Sequence, residues 1–550
     1  FCEVSQMSYR SMPRIQELVR RSVFVLMASI VALTAVMTLP ASAQPVQVAD
    51  WRQSISGGVG KAVDRAPNGD YVVVGIESLS TIDPAYGMTM TLQRYSSNGQ
   101  PRWAQPVRTS STVAGLKATK VLVDADDNTF VFANEGDYNY RLCLPEDPTC
   151  QPGILGLFDG WWIVQKYSPT GTLLWQQRTL KVKQIPSHAA FDSSGDVYVL
   201  FANKGGTALI VRLASATGAT VWSATTPYEA QAGAIALSST GTVLVAGAGP
   251  YGLSISEFAP DSGARLIVTI YSEAAGSYAP GMAVGPQGEI AFTGKSAAGL
   301  FLGLESAARQ PLFTISTTPG AEGRHVAVDA QGQLVVAGTV PSSSGTNWLL
   351  LRYDATGASV HAPVVIDRHA SAVEEPRDLI LGAQGVAYIT GAAGPGTTLD
   401  PNATQAVTVR LVSNGTIDWV ASESAGVRGV DAVLALDGSV GVLTAGNLSL
   451  VHYPVAASPI PTALTLSPTI VQGGKIAKGT VTVSAGTGVV VTLTSSNSTI
   501  VSVPSSVTVP SGVTTATFTM QTRKVRTNTS VTITATANGM SISSTLIVKR

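Results

Sequence analysis

Residues 329–339 read DAQGQLVVAGT, a tight turn followed by an apolar strand. The Asp-x-x-Gly start has the chemistry of a hairpin turn, because glycine supplies a positive φ at no steric cost. The strand after the turn is rich in Val and small residues, as a buried strand requires. The phrase recurs along the chain. It reads DRAPNGDYVVVG at Gly69, DADDNTFVFA with Asn128 in the turn role, and DSSGDVYVLF at Gly195. It returns as SSTGTVLVAG (Gly241), GPQGEIAFTG (Gly288), GAQGVAYITG (Gly385) and LALDGSVGVLTAG (Gly438). The spacing is roughly 44–53 residues, wider around the second copy, which is a typical propeller-blade period.

A second phrase comes next in most copies: TLQRYSSNGQPRW, WIVQKYSPTGTLLW, LIVRLASATGATVW, LLLRYDATGASVH and VTVRLVSNGTIDW. It predicts a third strand, a glycine turn and a fourth strand opening on Trp or a substitute. Four antiparallel strands per repeat make one blade. The tryptophans Trp51, Trp103, Trp175, Trp222 and Trp419 are expected to pack neighbouring blades together. The last copy, 427–455, has three strands and no fourth, while VADWRQSISG near residue 50 is an orphan fourth strand. The N-terminal strand is therefore expected to complete the final blade and close the ring. The reading is all-β: an eight-bladed propeller over 44–455, with seven blades as the alternative because copies 233–272 and 279–318 are degenerate.

These motifs, D-x-x-G-x-x-Y/V-V-x-G with R/K-Y-x-x-x-G-x-x-x-W over residues 49–455, resemble the bacterial secreted SBBP-type propeller repeats. That resemblance implies a fold and is nearly silent on activity. After a Pro/Ala linker (456–462), residues 463–550 turn to Thr, Val and Ser in about seven short alternating segments, the pattern of a β-sandwich. They resemble bacterial Ig-like domains, through TLSP, GTVTVSA, SSN, VPSSVTVPSG and ATFTM. The resemblance implies a spacer or contact surface.

The 550-residue chain is 13% charged, with 35 basic and 35 acidic residues, so it carries no electrostatic footprint for nucleic acid. Its first residue is Phe, and Met7 and Met12 are plausible starts. Arg14, Arg20 and Arg21 precede the apolar run SVFVLMASIVALTAVMTL, which ends in PASA. This is the layout of a secretory signal over 1–43, cleaved after Ala43, with an uncleaved anchor as the alternative. No later segment could span a membrane, so a periplasmic or extracellular mature chain is expected.

Cys143 and Cys150 are the only cysteines after the signal, in RLCLPEDPTCQPG, and an exported chain should pair them; metal binding would want more ligands. Their insertion also holds Tyr138, Tyr140, Arg141, Glu146 and Asp147, with Trp161 and Trp162 behind it. It is the candidate recognition loop, or else a decorated blade edge with the tryptophans in the core. A second set, Lys120, His188, His325, Asp378 and Asp431, falls four residues before the motif Asp or its equivalent. Innermost strands line a propeller's channel, so these are a candidate polar ring able to bind an anion or a metal. DADDN (124–128) lacks the spacing of a calcium loop and reads as a hairpin turn.

No HExxH, no G-x-S-x-G with partners and no cofactor motif is present, and no metal site is assigned. The expected function is an exported binding or scaffold protein for a protein or glycan of the envelope or outside the cell. The alternatives are a quinoprotein-like or lyase-type propeller enzyme and a periplasmic structural assembly factor.

Overall fold

A computed structural model of the chain describes residues 47–550 together with the two-residue strand Met37–Thr38. Short segments are excepted: 79–87, 111–115, 138–158, 179–184, 203–206, 227–230, 275–280, 344, 368–371, 396–403, 424–427, 456–458, 485–486, 512 and 538–539.

The first repeat folds as four antiparallel strands in sequence order: Gly58–Arg65, Tyr71–Ser78, Met88–Tyr95 and Val107–Ser110. The same meander recurs from Leu116–Val123 to Leu173–Arg178 and from Ile185–Phe191 to Thr220–Thr226. The degenerate copies keep it, from Gln231–Leu237 to Arg265–Tyr271 and from Gly281–Val284 to Pro311–Thr317. Two further repeats, starting at Glu322–Val328 and Ala372–Leu381, are joined by a single bridge between Thr346 and Val373.

The last repeat supplies only Gly429–Leu434, Val440–Thr444 and Ser449–Tyr453. Its fourth strand is Trp51–Ser54, antiparallel to Ser449–Tyr453. Each innermost strand packs on the next, and Gly429–Leu434 packs on Gly58–Arg65, so the strands form a closed ring. The molecule carries a β-propeller.

The centres of the sheets are dry. Tyr71, Val72, Val73, Phe130, Val131, Val243, Leu244, Leu334 and Val336 are fully buried, which is why the second strand of each repeat reads as an apolar run. The second copy corrects one expectation. Its left-handed turn residue is Asp127 (φ 70°), and Asn128 stands one place later. Aspartate tolerates this conformation, and both Asp127 carboxylate oxygens accept bonds from Arg94 Nη2 at 2.8 Å.

Two recurrent contacts join the blades. The first uses the fourth-strand aromatic. Trp103, Trp175 and Trp222 lie against Gly171, Gly218 and Gly263 of the following repeat, and Trp51 lies against Gly99. The indole N–H groups of Trp103, Trp175 and Trp222 donate to Pro169, Ser215 and Pro260 carbonyls at 3.0, 2.8 and 2.8 Å. His361 and Phe313 occupy the same place against Gly415 and Gly357.

The second contact uses the basic residue of the R/K-Y phrase. Arg94 donates to Asp70 of its own hairpin at 2.9 Å and to Asp127 of the next. Arg212 binds Asp192 and Asp196, and donates to the Pro260 carbonyl of the next repeat at 2.6 Å. Arg352 is fully buried, pairs with Asp329 at 3.0 Å and donates to the Gly385 carbonyl.

The C-terminal region holds two sheets. One is ordered Pro461–Ser467, Ile476–Val483, Thr515–Thr522 and Val501–Ser502. The other is ordered Ile470–Gln472, Met540–Lys549, Thr529–Ala537, Thr487–Ser495 and Ser506–Ser511. They enclose one apolar core that includes Leu466, Val481, Leu493, Phe518, Met520, Ile533 and Leu546. Among the described residues no helix is long and apolar enough to cross a membrane.

Candidate functional site: the propeller channel

The innermost strand of a blade has one free edge, and the channel site begins there. In seven of these strands the pairing slips by one residue at the same place. The skipped residues are Lys61, Thr119, Ser187, Gly233, Arg324, Arg377 and Val430. A bulge of this kind bends the strand and re-aims side chains. The residue after each bulge is Ala62, Lys120, His188, Ala234, His325, Asp378 or Asp431, so the five predicted ring residues occupy one level. All five line a cavity of about 570 Å3.

The ring is asymmetric. Lys120 Nζ stands 3.5 Å from Asp431 Oδ2 and also acts on Asp378 and Asp64. Burial raises the Asp378 carboxyl, and Asp431 bonds to it side chain to side chain. Asp431 is pushed up to about 6 by burial, with Asp378 adding to the rise and Lys120 opposing it. His188 and His325 are both held down to about 4, chiefly by burial. For His188 the Lys120 cation adds to this, whereas His325 gains from a bond to the Pro376 carbonyl. His188 opens onto the channel, so water there tempers the effect of its protein surroundings.

These side chains also have a mechanical task. Asp378 Oδ2 accepts from the Ala432 N–H at 3.0 Å, Asp431 Oδ2 from the Val63 N–H at 3.0 Å, and Asp64 Oδ2 from the Val123 N–H at 2.8 Å. Each carboxylate thus satisfies a backbone donor on the free edge of the next innermost strand, which would otherwise be unpaired. Asp64 was missed in the sequence, because it sits two places past the ring level on a strand whose ring residue is Ala62.

A second level was also missed. Near the N-terminal ends of the same strands stand Lys61, Lys117, Arg324, Arg377 and Arg428. Glu375 pairs with Arg324 and, at 2.6 Å, with Arg377. The sequence signal was present as basic residues one and three places before the ring, but the bulges break the two-residue period that would have aligned them.

The recognition-loop residues Tyr138, Tyr140, Arg141, Glu146 and Asp147, the Cys143–Cys150 pair and the 1–43 signal lie outside the described residues. Of the two flanking tryptophans, Trp162 is buried in a core cluster, its ring 4.6 Å from that of Phe201. Trp161 is partly exposed beneath the Arg178 guanidinium, 4.1 Å from the ring centre. Trp161 is therefore the one of the pair that a ligand could reach. Among the described residues no cluster of three or more His, Cys, Asp or Glu could hold a metal ion. A groove of about 580 Å3 on the C-terminal region, beside Pro504 and Phe518, has no ionisable side chain.

No family model matches the chain, and no curated protein matches it. Solved structures with a similar course include the Dos1 propeller, with a TM-score of 0.48 at 8% identity, over 74% of this chain and 95% of that one. Sqt1 of Chaetomium thermophilum gives 0.47 at 11%, over 74% and 98%. A streptogramin B lyase gives 0.40 at 12%, over 74% and 97%. No function passes to this chain from likenesses this distant.

Proposed function

We propose that the chain is an exported, non-enzymatic binding protein. In this reading residues 1–43 are a cleaved signal and residues 44–455 an eight-bladed propeller of the SBBP type closed by its N-terminal strand. Residues 456–462 are then a linker, and residues 463–550 an Ig-like sandwich that serves mainly as a spacer. The blade count rests on seven complete four-strand repeats plus one completed by Trp51–Ser54. A Cys143–Cys150 disulfide staples the insertion, whose Tyr138, Tyr140 and Arg141, with Trp161, form the contact surface for an envelope or extracellular protein or glycan. Binding hot spots favour these residue types. The C-terminal region offers only Phe518 as an aromatic.

The observation that carries the non-enzymatic reading is the engagement of the channel acids. Asp64, Asp378 and Asp431 each hold a backbone N–H of the neighbouring blade, so their geometry is committed to the ring. A pull-down from envelope extract with residues 44–455 and residues 460–550 separately tests the assignment. The propeller is expected to retain partners. Retention by the C-terminal half alone would reverse the roles.

One observation favours a second reading, a lyase-type enzyme: an acid pair bonded side chain to side chain lies beside Lys120. Products formed in the same extract by the native chain, and abolished by Asp431→Asn in a protein of unchanged fold, would select it.

A further inference from the structure

The ring's mechanics, in which Asp64, Asp378 and Asp431 hold backbone N–H groups of neighbouring strands, do not use the basic level at the channel mouth. Lys61, Arg324 and Arg377 are all bulge residues and all line the cavity. They come from three innermost strands that are nearly consecutive around the ring. Arg428 precedes the strand between Arg377 and Lys61, and its charge acts on both. Lys117 stands on the next strand and feels Lys61. Three lining cations, with Lys117 and Arg428 beside them outside the cavity wall, thus crowd one half of the mouth, against the carboxylates of Glu322 and Glu375. Glu375 is shared by Arg324 and Arg377. Among the described residues Lys61 and Arg428 have no carboxylate within ion-pair distance.

The opposite half of the wall is uncharged, with Gly233, Ala234, Ile235, Gly281 and Met282. The cavity therefore has open volume facing a one-sided positive field. Low-dielectric walls focus such a field and raise the local concentration of anions. Further along the strands the chemistry changes sign. An anion moving inward meets Asp378 and Asp431, with only Lys120 beside them. Carboxylates at that level accept hydrogen bonds, and the neutral imidazoles of His188 and His325 can donate or accept.

We propose that the channel mouth is a binding site for a small polyhydroxylated carboxylate, an acidic sugar. Its carboxylate is held by Lys61, Arg377 and Arg428, and its hydroxyls face the Asp378–Asp431 and His188–His325 level. The cavity, about 570 Å3, is of the size that encloses a small organic ligand. Mutual crowding of the cations supports the assignment. Burial and the Arg428 charge lower the Lys61 ammonium, and burial and Lys61 bring Lys117 down to about 8. An anion at the mouth relieves that repulsion.

Calorimetric titration of the full chain at low ionic strength with glucuronate, glucose, citrate and inorganic phosphate tests the site. Glucuronate is expected to bind and glucose to fail. Citrate and phosphate should bind at least ten-fold more weakly than glucuronate, because they cannot use the deeper level. Lys61→Gln and the exposed Arg428→Gln should each weaken glucuronate binding at least ten-fold while leaving the melting temperature within a few degrees of the parent. Two variants on separate strands keep the test decisive if one disturbs folding. Equal binding of phosphate and glucuronate would overturn the sugar assignment. Absence of binding by all three anions, or binding untouched by both substitutions, would overturn the site. The pull-down with the two halves reads partner retention rather than glucuronate, so loss of one with the other kept distinguishes failure of the site from failure of the binding-protein reading.

Discussion

Gly218 stands at a positive φ of 71°, and an added Cβ would lie 2.5 Å from the Trp175 ring of the preceding blade. Gly241 has φ 83° with nothing near its Cβ position. The pair separates two reasons for glycine. Gly241→Ala should cost only the backbone term, about 1–2 kcal/mol. Gly218→Ala should cost a further overpacking term of about 1–3 kcal/mol. Thermal melts of the two variants check this, and equal losses would remove the interblade role of Trp175. The tryptophans were legible in the sequence as a recurrent fourth-strand residue. Their glycine partners were legible only as turn residues, because the contact joins successive repeats and no local pattern announces it.

The channel acids and imidazoles pull stability in opposite directions with pH. The folded-state pKa of Asp431 is raised to about 6, so folding takes up its proton, and its contribution falls as pH climbs from about 4 to 6. His325 is depressed to about 4, so its contribution is present above 6.5 and lost as pH falls towards 4, with His188, open to channel water, adding less. In the native chain the two slopes offset each other. Asp431→Asn removes the first and leaves the second, so the variant should lose stability more steeply than the parent between pH 6.5 and 4. Calorimetric melts across that window measure the difference. Parallel curves would mean that Asp431 titrates normally.

Among the elements, the strand Trp51–Ser54 does what the orphan fourth strand in the sequence promised. Trp51 stacks on His452 with ring centres 4.9 Å apart and an interplanar angle of 6°, and Asp50 takes a bond from the same imidazole at 2.6 Å. Deleting 44–58 removes this strand and uncovers the edge of Ser449–Tyr453. It also removes the first residue of Gly58–Arg65. An unpaired edge invites intermolecular pairing. The truncated chain should therefore aggregate and melt well below the parent in light scattering and thermal scans. Unchanged solubility and melting would show that the strand is dispensable. The bulges, by contrast, could not be read. Their residues are Lys, Thr, Ser, Gly, Arg and Val, which share no chemistry. A bulge shows itself only in pairing, so the basic level it creates stayed hidden while the ring one residue on kept its spacing.

For the whole molecule, the repeat was the readable part: turn glycine, apolar strand, basic residue, tryptophan, four strands at a time. The ring level came with it, because equal spacing in a cyclic array puts equivalent positions at one height. Which blades carry charge at that height is a matter of three-dimensional order. The grouping of Lys61, Arg324, Arg377 and Arg428 on one side emerges only when the last repeat is seated beside the first. That seating has a consequence for how the protein is made. The partners Asp50 and His452 are 402 residues apart in the chain. At a synthesis rate of about 5–20 residues per second, the second is produced roughly 20–80 s after the first. Throughout that interval the opening strand must wait unpaired while the intervening blades stack. Completion of the circle is thus a checkpoint set by chain length, passed only by a polypeptide that has been delivered through residue 453.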